Sequence, residues 1–344
     1  MKISHFLILV LFLSACGKST LEYDSQAHKS AVSYFESNQL DSTVAILERQ
    51  TLQLSDSALL VLGIAHYKLG NTEKALNYLK SSVDLNGKFE IGYYNLGLIY
   101  DYVNQTELAL QNYNRAIEID PNSESSIYNK ASILFYQDQL HESFKLAQRA
   151  IEIDSSYSLP YRLIGEIYNS WNKLDSSLIF HRKLVQVDSS KAEYWFYLGL
   201  CEEDNGNRNN AIKAYSKSII LEPQSTHSYF NRATMYQRSG DSELAKKDYF
   251  QLTQLAPTDM VNYIRLSWIY SNQNKMDSTR TILEKAISVD STASEAYFYL
   301  GDYYYTSNNN MRACELYQKA AQLKNQRAEE RLEQRCNQGE NKSS

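Results

Sequence analysis

Proline and glycine are scarce in this chain, 4 and 12 among 344 residues. The shortage favours helix, because those two residues are what interrupts it. Charge of one sign is lacking as well. Lysine and arginine number 35 against 40 acidic residues, for a net charge of −5, and no basic block occurs. Nucleic acid is therefore not expected as a partner, since phosphate binding needs clustered cations. The six histidines, His5, His28, His66, His141, His181 and His227, have no partners at zinc-ligand spacing. No glycine-rich phosphate loop and no G-x-S-x-G elbow are present. The carboxylates Glu202, Glu203 and Asp204 of "CEEDNGN" read as a solvated helix end before Gly206 rather than as an acid/base pair. The expectation is no metal, no cofactor and no catalysis. A run of about 20 apolar residues, enough to cross a bilayer, is also missing. The stretch Phe6 to Leu13 is too short.

What is abundant is tyrosine, 28 residues, inside a hydrophobic content of 43% that is ample for a core. Length alone would suggest about two domains, but an internal repeat overrides that reading. "ELALQNYNRAIEIDPN" from Glu107 is followed 34 residues on by "HESFKLAQRAIEIDSS" from His141. "NNAIKAYSKSIILEPQ" from Asn209, "SELAKKDYFQLTQLAP" from Ser242 and "STRTILEKAISVDST" from Ser278 continue the series. Each unit opens with an aromatic, a small residue four on and an aromatic three further, as in Tyr93/Gly97/Tyr100, Tyr161/Gly165/Tyr168, Tyr229/Ala233/Tyr236 and Tyr297/Gly301/Tyr304. Such spacings share one helical face. The small residue lets a second helix approach, and that helix carries Ala109/Tyr113/Ala116 or Ala211/Tyr215/Ser218. Pro121, Pro223 and Pro257 mark its end. Asn38, Gly70, Asn104, Asn172, Gly206, Gly240, Asn274 and Asn308 fall at the turn between the paired helices, where positive φ is needed. Glu202 and His66 stand where an aromatic is expected and are less easily buried.

The period and these residues resemble the tetratricopeptide repeat over roughly residues 24–327. The resemblance implies an all-α, right-handed superhelix of about eight to nine helix-turn-helix repeats, with residues 328–344 as a capping helix and tail. The unit near Asp24 to Ser57 matches only through Ala31, Tyr34, Asn38 and Leu47, as an atypical end repeat does. Two cysteines, Cys314 and Cys336, are about equidistant from the turn near Asn325. A helical hairpin brings them to one level, but facing is a stricter demand, and buried free thiols are the default, as for Cys201.

At the start of the chain, Leu13-Ser14-Ala15-Cys16 follows the short apolar run. The order of charge, apolar run and small residues is that of a signal peptide. The four residues resemble the bacterial lipobox, which implies removal of residues 1–15, acylation of Cys16 and residues 16–23 as a tether into the bilayer. Gly17 occupies the position where an Asp would favour inner-membrane retention. The resemblance thus implies delivery to the outer membrane, facing the periplasm.

Arrays of this family bind peptides or partner proteins on a concave surface. Lipoproteins of this build assist pilus assembly, barrel insertion, secretion or cell-wall enzyme complexes. The expected function is a non-catalytic envelope scaffold with a protein or peptide partner; a glycan or cell-wall fragment is the alternative ligand. The stripe one residue beyond the first-helix aromatics should partly face the concave side. The candidate partner-binding residues are Tyr94, Tyr102, Tyr128, Phe135, Tyr136, Phe196, Phe230, Trp268, Phe298 and Tyr305, with Arg162, Glu166, Glu203 and Arg238 at the rim.

Overall fold

The computed structural model describes residues 26–50 and 54–336. Among the described residues there are nineteen α-helices and no strand. The chain divides after Trp171 into two compact units. The first holds α1 (Gln26–Glu36), α2 (Leu40–Glu48), α3 (Asp56–Lys68), α4 (Thr72–Leu85), α5 (Glu90–Tyr102), α6 (Thr106–Ile119), α7 (Glu124–Tyr136), α8 (Leu140–Ile153) and α9 (Leu159–Ser170). The second holds α10 (Leu174–Val187), α11 (Ala192–Asp204), α12 (Arg208–Leu221), α13 (Thr226–Ser239), α14 (Ser242–Leu255), α15 (Met260–Asn272), α16 (Met276–Val289), α17 (Ser294–Thr306), α18 (Asn310–Gln322) and α19 (Gln326–Arg335). Within each unit, neighbouring helices pack as helix-turn-helix pairs, from α1 with α2 through α7 with α8, and from α11 with α12 through α17 with α18.

The turn inside each pair is set by one residue in the left-handed region. All eight positions expected from sequence have positive φ, from 56° at Asn172 and Asn274 to 82° at Gly70 and Gly240. Asp138 and Lys324 share this conformation, at φ 61° and 65°. The next residue's N–H then reaches back to the carbonyl five residues earlier: Asn71 to His66 (2.8 Å), Gln105 to Tyr100 (2.8 Å), Asn207 to Glu202 (2.7 Å) and Asn309 to Tyr304 (2.9 Å). This bond satisfies a carbonyl that the helix end would otherwise leave open. Between pairs, an aspartate just past the second helix folds back on its own turn. The carboxylates of Asp120, Asp154, Asp188 and Asp290 accept from the N–H two residues on, at 2.7–2.9 Å.

Both helices of a pair contribute tyrosines to the core: on first helices Tyr194 is fully buried, and Tyr100 and Tyr161 are buried as well. Tyr113, Tyr215, Tyr249 and Tyr317 are fully buried, whereas the first-helix aromatics Tyr93, Tyr229, Tyr236, Tyr297 and Tyr304 are only half-buried. Each of the buried second-helix rings meets a residue that has little or no side chain on the facing helix. A Cβ added at Gly97 would lie 2.6 Å from Tyr113, at Gly199 2.4 Å from Tyr215, and at Gly301 2.7 Å from Tyr317.

Three sequence expectations are corrected. His66 and Glu202 are buried after all, because each finds a charged or polar partner there. His66 Nε2 lies 3.0 Å from Glu48 Oε1, with its ring stacked on Tyr78. Glu202 accepts from Arg182 at 2.8 and 3.0 Å and from Asn207 at 2.9 Å. Cys314 and Cys336 are joined as a disulfide, with Cα atoms 5.8 Å apart. The hairpin of α18 and α19 does turn the two side chains toward each other. Cys201 is buried, with its Sγ 3.3 Å from Nδ1 of His181. The last helix starts at Gln326, two residues ahead of the expected boundary, because the side chain of Asn325 accepts from the N–H of Ala328 at 3.2 Å and caps it there.

Candidate functional site

The candidate partner-binding residues lie on first helices of the pairs, and the structure sorts them by accessibility. In the first unit, Tyr94 on α5, Tyr128 on α7 and Arg162 on α9 are buried. The Tyr94 ring packs at 6.3 Å against that of Tyr113, and Tyr157, from the α8–α9 turn, meets Tyr128 edge-on at 5.5 Å. Arg162 donates to Glu166 at 2.6 Å and to the Tyr128 hydroxyl at 3.3 Å. Burial raises the phenol pKa of Tyr94, Tyr113 and Tyr128, an effect that the Arg162 guanidinium opposes at Tyr128. These groups stay neutral at any physiological pH. Two candidate rings are more accessible.

Those accessible rings are Tyr102, at 60% exposure, and Tyr136, at 64%. They sit one repeat apart at the ends of α5 and α7. Tyr102 meets Tyr67 edge-on at 5.4 Å, and Tyr136 meets the half-buried Phe135 at 5.4 Å. Burial raises the Tyr136 phenol pKa, and the nearby Glu166 carboxylate adds to the rise. Tyr136 is thus presented near the Arg162–Glu166 pair.

In the second unit, Phe196 and Phe230 are half-buried, and their rings lie 6.0 Å from those of Tyr215 and Tyr249. Phe298 makes the same 6.0 Å contact with Tyr317 and is fully buried. Each pair spans 19 residues, so the contact is a structural rung of the repeat. Trp268 is 51% exposed. Arg238 reaches Glu203 at 2.8 Å, and Glu203 in turn accepts from the Tyr215 hydroxyl at 3.0 Å. Tyr305 is half-buried under Arg335, whose guanidinium is 4.0 Å from the ring centroid. The rung from stripe residue to second-helix tyrosine was not anticipated from sequence, although the constant 19-residue separation of aromatics was visible in it. Cys16 lies outside the described residues.

Among the described residues no group of three or more His, Cys, Asp or Glu side chains is placed to hold a metal ion. No described helix is long and apolar enough to cross a membrane.

Models of the tetratricopeptide repeat match residues 56–89, 91–123, 192–225, 226–259 and 262–292. The matched segments coincide with the observed pairs α3–α4, α5–α6, α11–α12, α13–α14 and α15–α16. The chain contains tetratricopeptide repeats. A solved structure of Pseudomonas aeruginosa PilF is similar at 16% identity with a TM-score of 0.55, over 63% of this chain and 97% of that one. YrrB, described as a TPR protein with an unusual peptide-binding site, is similar at 17% identity over 54% of this chain and 95% of that one, with a TM-score of 0.45. The Cut9–Hcn1 assembly of the APC/C is similar at 14% identity over 80% of this chain and 55% of that one, with a TM-score of 0.48. The PilF likeness carries the fold, an all-α helical-repeat array. No curated protein is similar to the chain by sequence.

Proposed function

We propose that this chain is a lipid-anchored, non-catalytic scaffold of the bacterial cell envelope that holds a protein or peptide partner on aromatic side chains of its first helices. Tetratricopeptide repeats are in general protein- or peptide-binding modules. The observation that carries the reading here is the pair Tyr102 and Tyr136. Both rings are more than half exposed and stand one repeat apart, Tyr102 packed on Tyr67 and Tyr136 on Phe135. Exposed aromatic side chains on a rigid support are what interfaces use as anchors. The test is a double variant, Tyr102→Ala with Tyr136→Ala, in cross-linking capture from membranes. Anchors of this kind contribute more than about 2 kcal/mol each, so the affinity behind the specific cross-linked species should fall about 700-fold, at about 1.4 kcal/mol per tenfold. Thermal stability should hardly change, because neither ring is core. Capture that persists undiminished places the binding surface elsewhere. Binding to purified glycan without any protein species would favour a carbohydrate ligand instead.

Anchoring is proposed at Cys16, through acylation after cleavage of residues 1–15, with delivery to the outer membrane facing the periplasm. The Leu13-Ser14-Ala15-Cys16 order supports it. So does the Cys314–Cys336 bond, since disulfides persist in oxidising compartments and are rare in the cytosol. Intact mass of the mature chain should show loss of the first fifteen residues and gain of lipid. Cys16→Ser should move the protein out of the membrane fraction, and a variant that remains bound and processed would refute the anchor.

A further inference from the structure

We propose that the Cys314–Cys336 disulfide is a reducible latch that holds α19 over Phe298 and Tyr305, and that a dithiol releases the helix and uncovers that face.

Alone, α19 is a poor helix. It has ten residues, QRAEERLEQR, six of them charged, and Ala328 and Leu332 are its only apolar side chains. Isolated helices shorter than about 12–15 residues are marginal in water. Its non-covalent hold on the unit is Ala328, buried in the cluster of Phe298 and Tyr317, with Leu332 partly buried beside it, and arginine on aromatic. Arg327 stands 4.3 Å over the Phe298 ring and donates to the Tyr299 hydroxyl at 3.2 Å. Arg335 lies over Tyr305 and donates to Asp302 at 3.0 Å and to the Tyr317 hydroxyl at 2.9 Å. These contacts sit near the surface and are weakened by salt. With one alanine and one partly buried leucine as its apolar contacts, α19 leans on the covalent restraint to stay in place.

The bond is also reachable. Both cysteines line an open pocket of about 540 Å³ together with Met311, Glu315, Gln318 and Leu332. The thiolate of an incoming dithiol attacks one sulfur, the S–S bond breaks, and the other cysteine leaves as a thiolate that takes up a proton. The second thiol of the reagent displaces the mixed disulfide. Two electrons and two protons pass to the cysteines, and the dithiol ends as a disulfide. The buried Cys201 takes no part.

Release matters to function only if the ring-bearing face binds a partner, and that consequence rests on the scaffold reading. The latch itself is read without a partner. Hydrogen exchange, followed by mass spectrometry on the full chain, compares the oxidised form, the form reduced with dithiothreitol, and Cys336→Ser. Loss of the loop-closure restraint should raise local opening of α19 about 100-fold, while α11 to α16 keep their protection. Unchanged exchange of α19 in the fully reduced chain overturns the proposal. So does exchange that rises equally through α17 and α18, which would make the bond a staple of the whole unit. If α19 opens and partner capture is the same in both redox states, the latch stands and the reading of that face as a binding surface fails.

Discussion

Gly199→Leu should cost the second unit about 3–5 kcal/mol, as much as deleting the ring it faces. A Cβ at this position would sit 2.4 Å from Cε1 and 2.6 Å from Cδ1 of Tyr215, well inside contact distance. The ring has nowhere to go. Tyr215 is fully buried, Phe196 packs on it at 6.0 Å, and its hydroxyl is committed to Glu203 at 3.0 Å. A leucine therefore expels the tyrosine or separates α11 from α12. Helix propensity works the other way, since glycine in a helix interior costs about 1 kcal/mol relative to alanine. It is too small to offset the clash. Chemical denaturation followed by circular dichroism measures the loss. The double variant Gly199→Leu with Tyr215→Ala should be more stable than the sum of the single losses, because the leucine then occupies the space that the ring vacated. Strict additivity would mean that the two positions do not meet.

The same contact explains why so much of the fold was legible in the sequence. A helix pair with 34-residue periodicity repeats its geometry, so any residue forced by that geometry recurs in phase. The positive-φ turn forces asparagine or glycine at eight places, and all eight adopt it. Asp138 and Lys324 adopt the same conformation without being asparagine or glycine, so those two residue types do not mark every such turn. At Asp138 the N–H of Gln139 still reaches Leu134 at 2.9 Å. Where the sequence broke its own pattern, composition misled. His66 and Glu202 look too polar for the interior, but their partners Glu48 and Arg182 come from the preceding helices, 18 and 20 residues away, and no periodic rule points to them.

The candidate site was less legible for a related reason. Periodicity identifies which residues share a stripe but not how deep the stripe lies. Tyr94, Tyr128 and Tyr102 all belong to it by spacing, and only Tyr102 is open to solvent. Depth depends on what the next pair lays over each position. Phe298 illustrates this. Its register matches that of Phe196 and Phe230, but α19 covers it and the other two remain half-buried. The disulfide was ambiguous in the same way, since level is a matter of counting and facing is a matter of rotation.

Arg232→Met should destabilise the second unit by about 3–5 kcal/mol, the cost of leaving a buried charge without its partner. Arg232 on α13 forms a two-point ion pair with Asp248 on α14, at 2.7 and 2.8 Å, and donates to Ser216 on α12 at 2.9 Å. It lies between the rings of Tyr229 and Tyr236, 5.6 and 5.8 Å from their centroids. Its side chain is 17% exposed, and that of Asp248 7%. Methionine keeps the apolar stem between the rings but strands the carboxylate in a site that excludes water. The double variant Arg232→Met with Asp248→Leu removes both charges and should recover most of the loss, since a buried ion pair and a well-packed apolar pair differ little in net stability. Arg232→Lys should fall between, because a single ammonium cannot reproduce the fork that grips both carboxylate oxygens. Denaturation of the three variants gives the coupling energy directly. A coupling below about 0.5 kcal/mol, the additivity expected of independent sites, would show that water, rather than the guanidinium, satisfies Asp248.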